Sequence, residues 1–74
     1  MSYKVSVIIE HDDHGYYACC PELPGCQTQG DSLDEVVTNA REAVELYLET
    51  LDPEERCACL SKEILTTSVE VAVA

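Results

Sequence analysis

Apolar and polar residues alternate along the first ten residues of the chain, and this pattern predicts a half-buried β-strand. The apolar side chains occupy every second position, which places them on one face of a strand: Tyr3, Val5, Val7 and Ile9. A polar cluster, "HDDHG", follows at residues 11–15, and "YYACC" at residues 16–20 is again typical of a strand. Together these segments predict a β-hairpin whose loop is longer than two residues.

Prolines and glycines shape the segment after this hairpin. The run "PELPG" at residues 21–25 interrupts the sheet pattern, because proline has no N–H to donate to a neighbouring strand. We expect its prolines to stiffen a bulged turn, and its glycine to adopt a backbone conformation that other residues avoid. The run "CQTQ" at residues 26–29 then predicts a short third strand that ends at Gly30. We interpret the stretch as a structural turn without chemistry of its own.

A helix start follows the third strand. Ser32 and Glu35 have the spacing of a capping box, in which side chains satisfy free backbone N–H groups at the start of a helix. Apolar residues then recur within a stripe about 120° wide, the width of a core-facing helix surface: Leu33, Val36, Val37, Ala40, Val44, Tyr47, Leu48 and Leu51. Leu46 falls nearly opposite this stripe, so we expect it to be exposed and to take part in self-association.

The last part of the chain predicts a second helix and a final strand. Residues 51–61, "LDPEERCACLS", open with an Asp-Pro turn that suits the first turn of a short helix. Residues 66–74, "TTSVEVAVA", alternate again, with three valines on one face: Val69, Val71 and Val73. This alternation predicts a last strand.

These elements predict an α+β fold of order β-β-β-α-(α)-β in one domain over residues 1–74. Three strands form an antiparallel meander, and one long helix covers one face of the sheet. The helical connection is long enough to return the last strand parallel to a neighbour through a right-handed crossover. A chain of 74 residues has a thin core and an uncovered sheet face. We therefore expect a homodimer or a tetramer.

The net charge of the chain limits the classes of molecule that it can bind. The formal net charge is −11, from 15 acidic and four basic residues. This balance disfavours direct binding of nucleic acid or an anionic membrane by the chain alone, and it suits a basic partner. The N-terminus lacks a basic start followed by an apolar run, and no segment approaches the ~18 apolar residues of a membrane span. We expect a cytoplasmic location.

Two groups of residues could in principle hold a metal ion. The five cysteines have poor spacing for structural zinc, and a reducing compartment disfavours disulfides: Cys19, Cys20, Cys26, Cys57 and Cys59. We predict buried or half-buried thiols. The run "HDDH" at residues 11–14 offers imidazoles and carboxylates, but a solvated hairpin loop explains it equally well. We predict no metal site and no cofactor.

Residues 15–48 resemble the HicB family of bacterial and archaeal antitoxins. The family pattern is Gly-aromatic-x-Ala, then Pro-acidic-Leu-Pro-Gly-Cys, then Gly-acidic-Ser/Thr-x-x-Glu, then Asn-x-x-Glu-Ala. Here the pattern is carried in that order by four groups: Gly15, Tyr16 and Ala18; Pro21 to Cys26; Gly30, Asp31, Ser32 and Glu35; Asn39, Glu42 and Ala43. The resemblance implies a partial ribonuclease-H-like fold of β-β-β-α-β order.

The resemblance also implies a function. Members of the family neutralise HicA, a small basic toxin that cleaves messenger RNA, and many carry a C-terminal DNA-binding domain. This chain ends with the predicted last strand instead, so we expect no DNA binding by the chain alone. We predict an antitoxin without catalysis of its own. The residues expected to contact the toxin, for which an ordinary solvated loop is the competing interpretation, are Asp12, Asp13, Tyr17 and Glu22.

Two other functions remain open at this point. A metal-dependent nuclease of the ribonuclease H type needs several carboxylates that converge from different elements. The first strand offers only Glu10, at its end, and Glu70 in the last predicted strand has no obvious companion. A solitary domain of the same family that binds another protein or a small ligand is the second alternative.

Overall fold

The computed structural model describes residues 2–74 and shows an α+β arrangement. Three strands form an antiparallel sheet in chain order: β1 (Ile8–Asp12), β2 (Gly15–Cys19) and β3 (Gln27–Gly30). Two helices follow: α1 (Leu33–Glu49) and α2 (Pro53–Cys59). The predicted meander, long helix and short second helix are therefore confirmed. Neither helix in this part of the chain combines the length and the apolar content that a membrane crossing requires.

The strand register decides which side chains face α1. Ala18 lies opposite Ile9 on β1 and opposite Thr28 on β3, so the three share one face of the sheet. Helix α1 packs on β2 and β3, where Val36 and Ala40 bury Ala18 and cover part of Tyr16. The predicted helix stripe thus forms the core contact through its central residues.

The "PELPG" turn forms a second, separate core. Three backbone hydrogen bonds close it: Cys20 N–H to Cys26 O at 3.0 Å, Leu23 N–H to Cys20 O at 2.9 Å, and Cys26 N–H to Leu23 O at 3.0 Å. Gly25 has φ +81°, which side chains other than glycine rarely allow. The turn encloses the side chains of Cys20, Leu23 and Cys26, and Val5, Tyr47 and Leu60 are among the residues packed around them. We call these three residues the turn cluster.

The start of α1 lies directly on the end of β3. A Cβ on Gly30 would sit 2.7 Å from the backbone nitrogen of Val36, so only glycine allows this approach. Ser32 caps the helix, and its hydroxyl oxygen accepts the Glu35 N–H at 3.1 Å as the sequence predicts. The reciprocal capping box is complete at α2, between Asp52 and Glu55.

The predicted last strand is wrong for this structure. Residues 63–74 form neither helix nor strand, and the alternating valines are exposed to 77%, 72% and 89%: Val69, Val71 and Val73. We call residues 63–74 the tail. A strand is stable only when a neighbouring strand satisfies its N–H and C=O groups, and sheet order shows no such neighbour for the tail within residues 2–74. The first strand is also shorter than predicted, since β1 begins at Ile8 and residues 2–7 are assigned to neither helix nor strand.

Candidate functional site

The face of the sheet turned away from α1 is not covered by a helix in the described part of the chain. We call it the open sheet face, and it is formed by alternate residues of all three strands: Ile8, Glu10, Tyr17, Cys19, Gln27 and Gln29. A concavity of about 590 Å³ lies on it, lined by these six residues and by Ala18 and Thr28. A concave surface lined by both apolar and polar side chains can receive a side chain of a partner.

Tyr17 occupies the middle of this face because of the hairpin register. It pairs with Glu10 on β1 and with Gln29 on β3, so a phenol ring lies between a carboxylate and an amide. The ring is exposed, as are the two flanking side chains. Tyrosine offers a large apolar ring and a hydroxyl with little conformational freedom to lose, which explains its enrichment at protein interfaces.

A second hollow, of about 320 Å³, adjoins the first at the end of the hairpin. It shares Tyr17 and Gln29 with the open sheet face and is otherwise lined by turn and helix-start residues: His14, Gly15, Tyr16, Gly30, Asp31 and Glu35. No lysine or arginine is among the described residues that line either hollow. The charged side chains that line the two hollows beside Tyr17 are therefore acidic, apart from His14: Glu10, Asp31 and Glu35. The local field favours a cationic partner.

Of the predicted contact residues, Asp12 is the last residue of β1 and Asp13 lies in the hairpin turn, and both are exposed. The turn has two residues, 13 and 14, so the prediction of a longer loop is wrong. Asp12 accepts the His14 N–H through its carboxylate at 2.8 Å, a local turn bond that fixes the loop. The His11 ring stacks on the Tyr16 ring with centroids 3.9 Å apart and planes 1° apart. The loop thus adjoins the second hollow through His14, and it adds two carboxylates to the acidic surface around Tyr17.

Glu22 lies elsewhere, and its position corrects our expectation of a surface contact. Its side chain is buried, with 4% of its area exposed. One carboxylate oxygen accepts the Ser6 N–H at 2.6 Å. This hydrogen bond joins the N-terminal segment to the turn across 16 positions of sequence. Its role in the structure is to hold residues 2–7 in place.

Three acidic residues of the two hollows were not among the contact residues we predicted: Glu10, Asp31 and Glu35. The alternation of "VSVIIE" places Glu10 opposite the apolar face of β1, which is a usable signal. Its position beside Tyr17, however, depends on which residues of the two hairpin strands pair with each other. The sequence did not predict this register. Glu35 was interpreted as a capping residue, and the structure shows that it also borders the second hollow.

The five cysteines are free thiols, and they divide into two classes. Cys20 and Cys26 are buried and Cys59 is partly buried, as predicted, whereas Cys19 and Cys57 are exposed. Burial and, after it, the hydrogen bond with Cys26 together raise the pKa of the Cys20 thiol from 9.0 to about 12. Cys20 is therefore a poor nucleophile at neutral pH.

The possible metal ligands do not converge. Within residues 2–74, no group of three or more histidine, cysteine, aspartate and glutamate side chains has an arrangement that could hold a metal ion. Glu70 lies in the exposed tail, while Glu10 lies on β1. The carboxylates considered for a nuclease are therefore distributed over separate parts of the structure.

Comparison with known proteins assigns this chain to a family. The sequence profile of the family described as "HicB_like antitoxin of bacterial toxin-antitoxin system" matches residues 3–71. The chain belongs to the HicB-like antitoxin family. This membership supports an antitoxin role.

Relatives extend the match to bacteria and archaea. A UPF0150 protein of Helicobacter pylori strain J99 is 39% identical over 70 residues, which are 95% of this chain and 97% of that protein. A UPF0150 protein of Synechocystis is 48% identical over 50 residues, 66% of this chain and 63% of that protein. One of Archaeoglobus fulgidus is 53% identical over 47 residues, 62% of this chain and 68% of its own. No solved structure gives a significant match to this HicB-like chain.

Proposed function

We propose that this protein is the antitoxin of a toxin–antitoxin pair and that it neutralises a small basic toxin of the HicA type, which cleaves messenger RNA. It acts in the cytoplasm by binding the toxin and covering the surface that the RNA needs, with no catalysis of its own. The observation that carries the proposal is the family match over residues 3–71. The acidic surface around Tyr17 supports it, since it has the charge that a basic partner requires.

In this proposal the charge of the chain affects the rate of association, and packing at the interface affects the lifetime of the complex. A net charge of −11 attracts a basic protein from a distance and increases the rate of association. Partner side chains that enter the concavity beside Tyr17 exclude water and determine how long the complex lasts. Asp12 and Asp13 lie at the rim, where their charges act mainly on the rate. We expect the affinity to fall with rising salt, because ions screen the rim charges beyond about 8 Å.

The same charge balance bears on nucleic acid. Four basic residues in 74 positions cannot neutralise a series of phosphates, so we propose that the chain alone does not bind its own promoter at physiological salt. In a complex, a basic toxin could supply the missing positive charge. A gel shift with nanomolar purified protein and the promoter fragment tests this directly, and a retarded band without toxin would contradict it.

Co-expression tests the function itself. The protein is expressed with the product of the adjacent reading frame if that frame encodes a small basic protein with the pattern of a double-stranded-RNA binder. We expect the second protein alone to stop growth, and the pair to restore growth and to co-purify. Failure of both growth rescue and complex formation would contradict the antitoxin proposal.

The proposed surface is tested with a matched pair of charge reversals. Glu10→Lys places a positive charge beside Tyr17, whereas Glu54→Lys makes the same change on exposed α2. We expect Glu10→Lys to weaken toxin binding by about tenfold or more, and Glu54→Lys by less than about threefold. Calorimetry at two salt concentrations gives both values. Equal losses would show that net charge alone drives binding and that the surface around Tyr17 is not the contact.

A further inference from the structure

Two of the five cysteines lie opposite each other where the sheet runs into the "PELPG" turn. Cys19 at the end of β2 pairs with Gln27 at the start of β3. The next step of this antiparallel register places Cys20 opposite Cys26, and the Cys20 N–H donates to Cys26 O at 3.0 Å. From this geometry we propose that Cys20 and Cys26 are a redox-active thiol pair, which a peroxide oxidises reversibly to a disulfide within the chain.

The spacing of such a pair suits a disulfide. Residues directly opposite each other in antiparallel strands have Cα atoms about 4.5–5.5 Å apart, and disulfides join Cα atoms about 4.4–6.8 Å apart. Opposite residues point to the same face, and here both thiols enter the turn cluster beside Leu23. The side chain of Cys20 is hydrogen-bonded to that of Cys26, so the two sulfur atoms are in contact. The turn therefore does not have to unfold for the bond to form.

The other three thiols have different surroundings. Cys19 and Cys57 are exposed, and Cys19 points to the open sheet face because side chains alternate along a strand. Cys59 is partly buried and packs against the turn cluster from α2, which makes it the competing partner among the described cysteines. The hydrogen bond of Cys20 is with Cys26, however, and the backbone pairs the same two residues. The structure therefore favours a disulfide between Cys20 and Cys26.

Burial of the pair limits the oxidant to a small molecule. Cys20 is 4% and Cys26 is 6% exposed, so a bulky disulfide such as oxidised glutathione cannot reach either sulfur while the turn is closed. Hydrogen peroxide is small enough to approach. Burial keeps the proton on Cys20, whose pKa is raised, so we assign the attack on the peroxide to Cys26.

The oxidation has two steps. The Cys26 thiolate attacks one oxygen of hydrogen peroxide, the O–O bond breaks, and hydroxide leaves a sulfenic acid on Cys26. The Cys20 sulfur then attacks the Cys26 sulfur, the S–O bond breaks, and the leaving hydroxyl takes the Cys20 proton as water. Together the two thiols lose two protons and two electrons, and one peroxide becomes two water molecules.

The disulfide stabilises the part of the fold on which both ends of the described chain rest. It closes a loop of residues 21–25, and Val5 and Leu60 pack on the cluster that this loop encloses. A covalent link across the turn reduces the conformational entropy of the unfolded chain, so the oxidised chain unfolds at a higher temperature. Intracellular disulfides are mostly transient and redox-sensing, which agrees with free thiols in the unstressed protein. The inference does not depend on the proposed antitoxin function.

Peptide mapping of the oxidised full chain tests the pairing. Cys19→Ser and Cys57→Ser first remove the two exposed thiols, which would otherwise link one chain to another. This parent chain is treated with hydrogen peroxide without denaturant, its remaining thiols are alkylated, and it is cleaved after glutamate. Each remaining cysteine then lies in a different peptide, so the linked peptides identify the disulfide: residues 11–22 carry Cys20, residues 23–35 carry Cys26, and residues 56–63 carry Cys59.

We expect a link between residues 11–22 and residues 23–35, together with a rise in melting temperature of about 8 °C that dithiothreitol reverses. In the same parent chain, Cys59→Ala should keep both effects and Cys26→Ala should lose both. The result for the parent chain does not require either variant to fold. A link to Cys59, a sulfinic acid in place of the disulfide, or three thiols still open to alkylation would each overturn the proposal. A link that forms only in urea, or one that leaves the melting temperature unchanged, would overturn it as well.

Discussion

Two stretches of this chain have the same alternation of apolar and polar residues but different surroundings. Val5 to Glu10 lies against the body: β1 pairs with β2, Val5 packs on the turn cluster, and Glu22 accepts the Ser6 N–H. Val69 to Val73 has the same pattern and is exposed. The difference shows that alternation makes a segment capable of forming a strand, while a hydrogen-bonding neighbour and a packed face decide whether it does.

The turn cluster anchors the first stretch, and the tail has nothing comparable. The later turns of α1 pack against the cluster, through Tyr47 and Leu48 among others. Val5 and Leu60 bring the two ends of the fold to it. Its stability should therefore decide whether the N-terminal segment stays in place. The same substitution made in the body and in the tail compares how much each region contributes to the free energy of unfolding.

The largest expected effect is that of Leu23→Ala. Leu23 is fully buried, so the change removes contacts from the turn cluster, and we expect it to lower the free energy of unfolding by about 3 kcal/mol. The matched control is Leu65→Ala in the tail, where the side chain is 80% exposed and the expected change is within about 0.5 kcal/mol. Urea denaturation of both variants gives the values. Similar losses would mean that the tail packs on the body of its own chain.

A smaller effect is expected at the junction of β3 and α1. Gly30→Ala places a methyl group 2.7 Å from the Val36 backbone nitrogen, which cannot move without shifting the helix. We expect a loss of about 2 kcal/mol by thermal or urea denaturation. Gly25→Ala is the comparison, since it meets no atom within 4 Å and strains only the backbone at φ +81°. We expect about 1 kcal/mol there, and a larger loss at Gly25 than at Gly30 would contradict the close approach.

The smallest expected effect is the contribution of the Cys20 thiol to the pH dependence of the free energy of unfolding. It is negligible at neutral pH and increases under alkaline conditions. The pKa of this thiol is raised from 9.0 to about 12 by burial first and by the hydrogen bond with Cys26 second. Well below pH 9 the thiol is protonated in both the folded and the unfolded chain, so it adds no pH dependence there. Between pH 9 and about 12 the unfolded chain binds fewer protons than the folded chain, and the free energy of unfolding falls.

We expect this loss to reach about 1 kcal/mol at pH 10. Urea denaturation at pH 8 and pH 10 measures it. Cys20→Ala should reduce the difference between the two pH values, whereas Cys57→Ala, at an exposed thiol, should leave it unchanged. An undiminished pH dependence in Cys20→Ala would assign the effect to other groups.

The amino-acid sequence by itself determined the local elements and the family. Alternation of apolar and polar residues predicted the hairpin strands, and Ser32 predicted the start of α1. The apolar stripe of the helix predicted that Val36 and Ala40 are buried. These features depend on neighbours in sequence: a capping side chain meets an N–H three residues away, and a helix stripe repeats every 3.6 residues. The spaced motif from Gly15 to Ala43 indicated the antitoxin family, which the match over residues 3–71 confirms.

The tertiary structure alone decided what depends on residues distant in sequence. The buried carboxylate of Glu22 accepts the N–H of Ser6, 16 positions earlier in the chain. The run "PELPG" contains no pattern that predicts this hydrogen bond. Glu10 joins Tyr17 through the hairpin register, which brings them to one face. The tail stays unpaired for the same reason: strand formation needs a partner whose position the segment does not encode. Strand pairing joins residues that are distant in sequence. An alternating pattern therefore makes a segment able to form a strand, and the rest of the molecule determines whether a partner strand lies beside it.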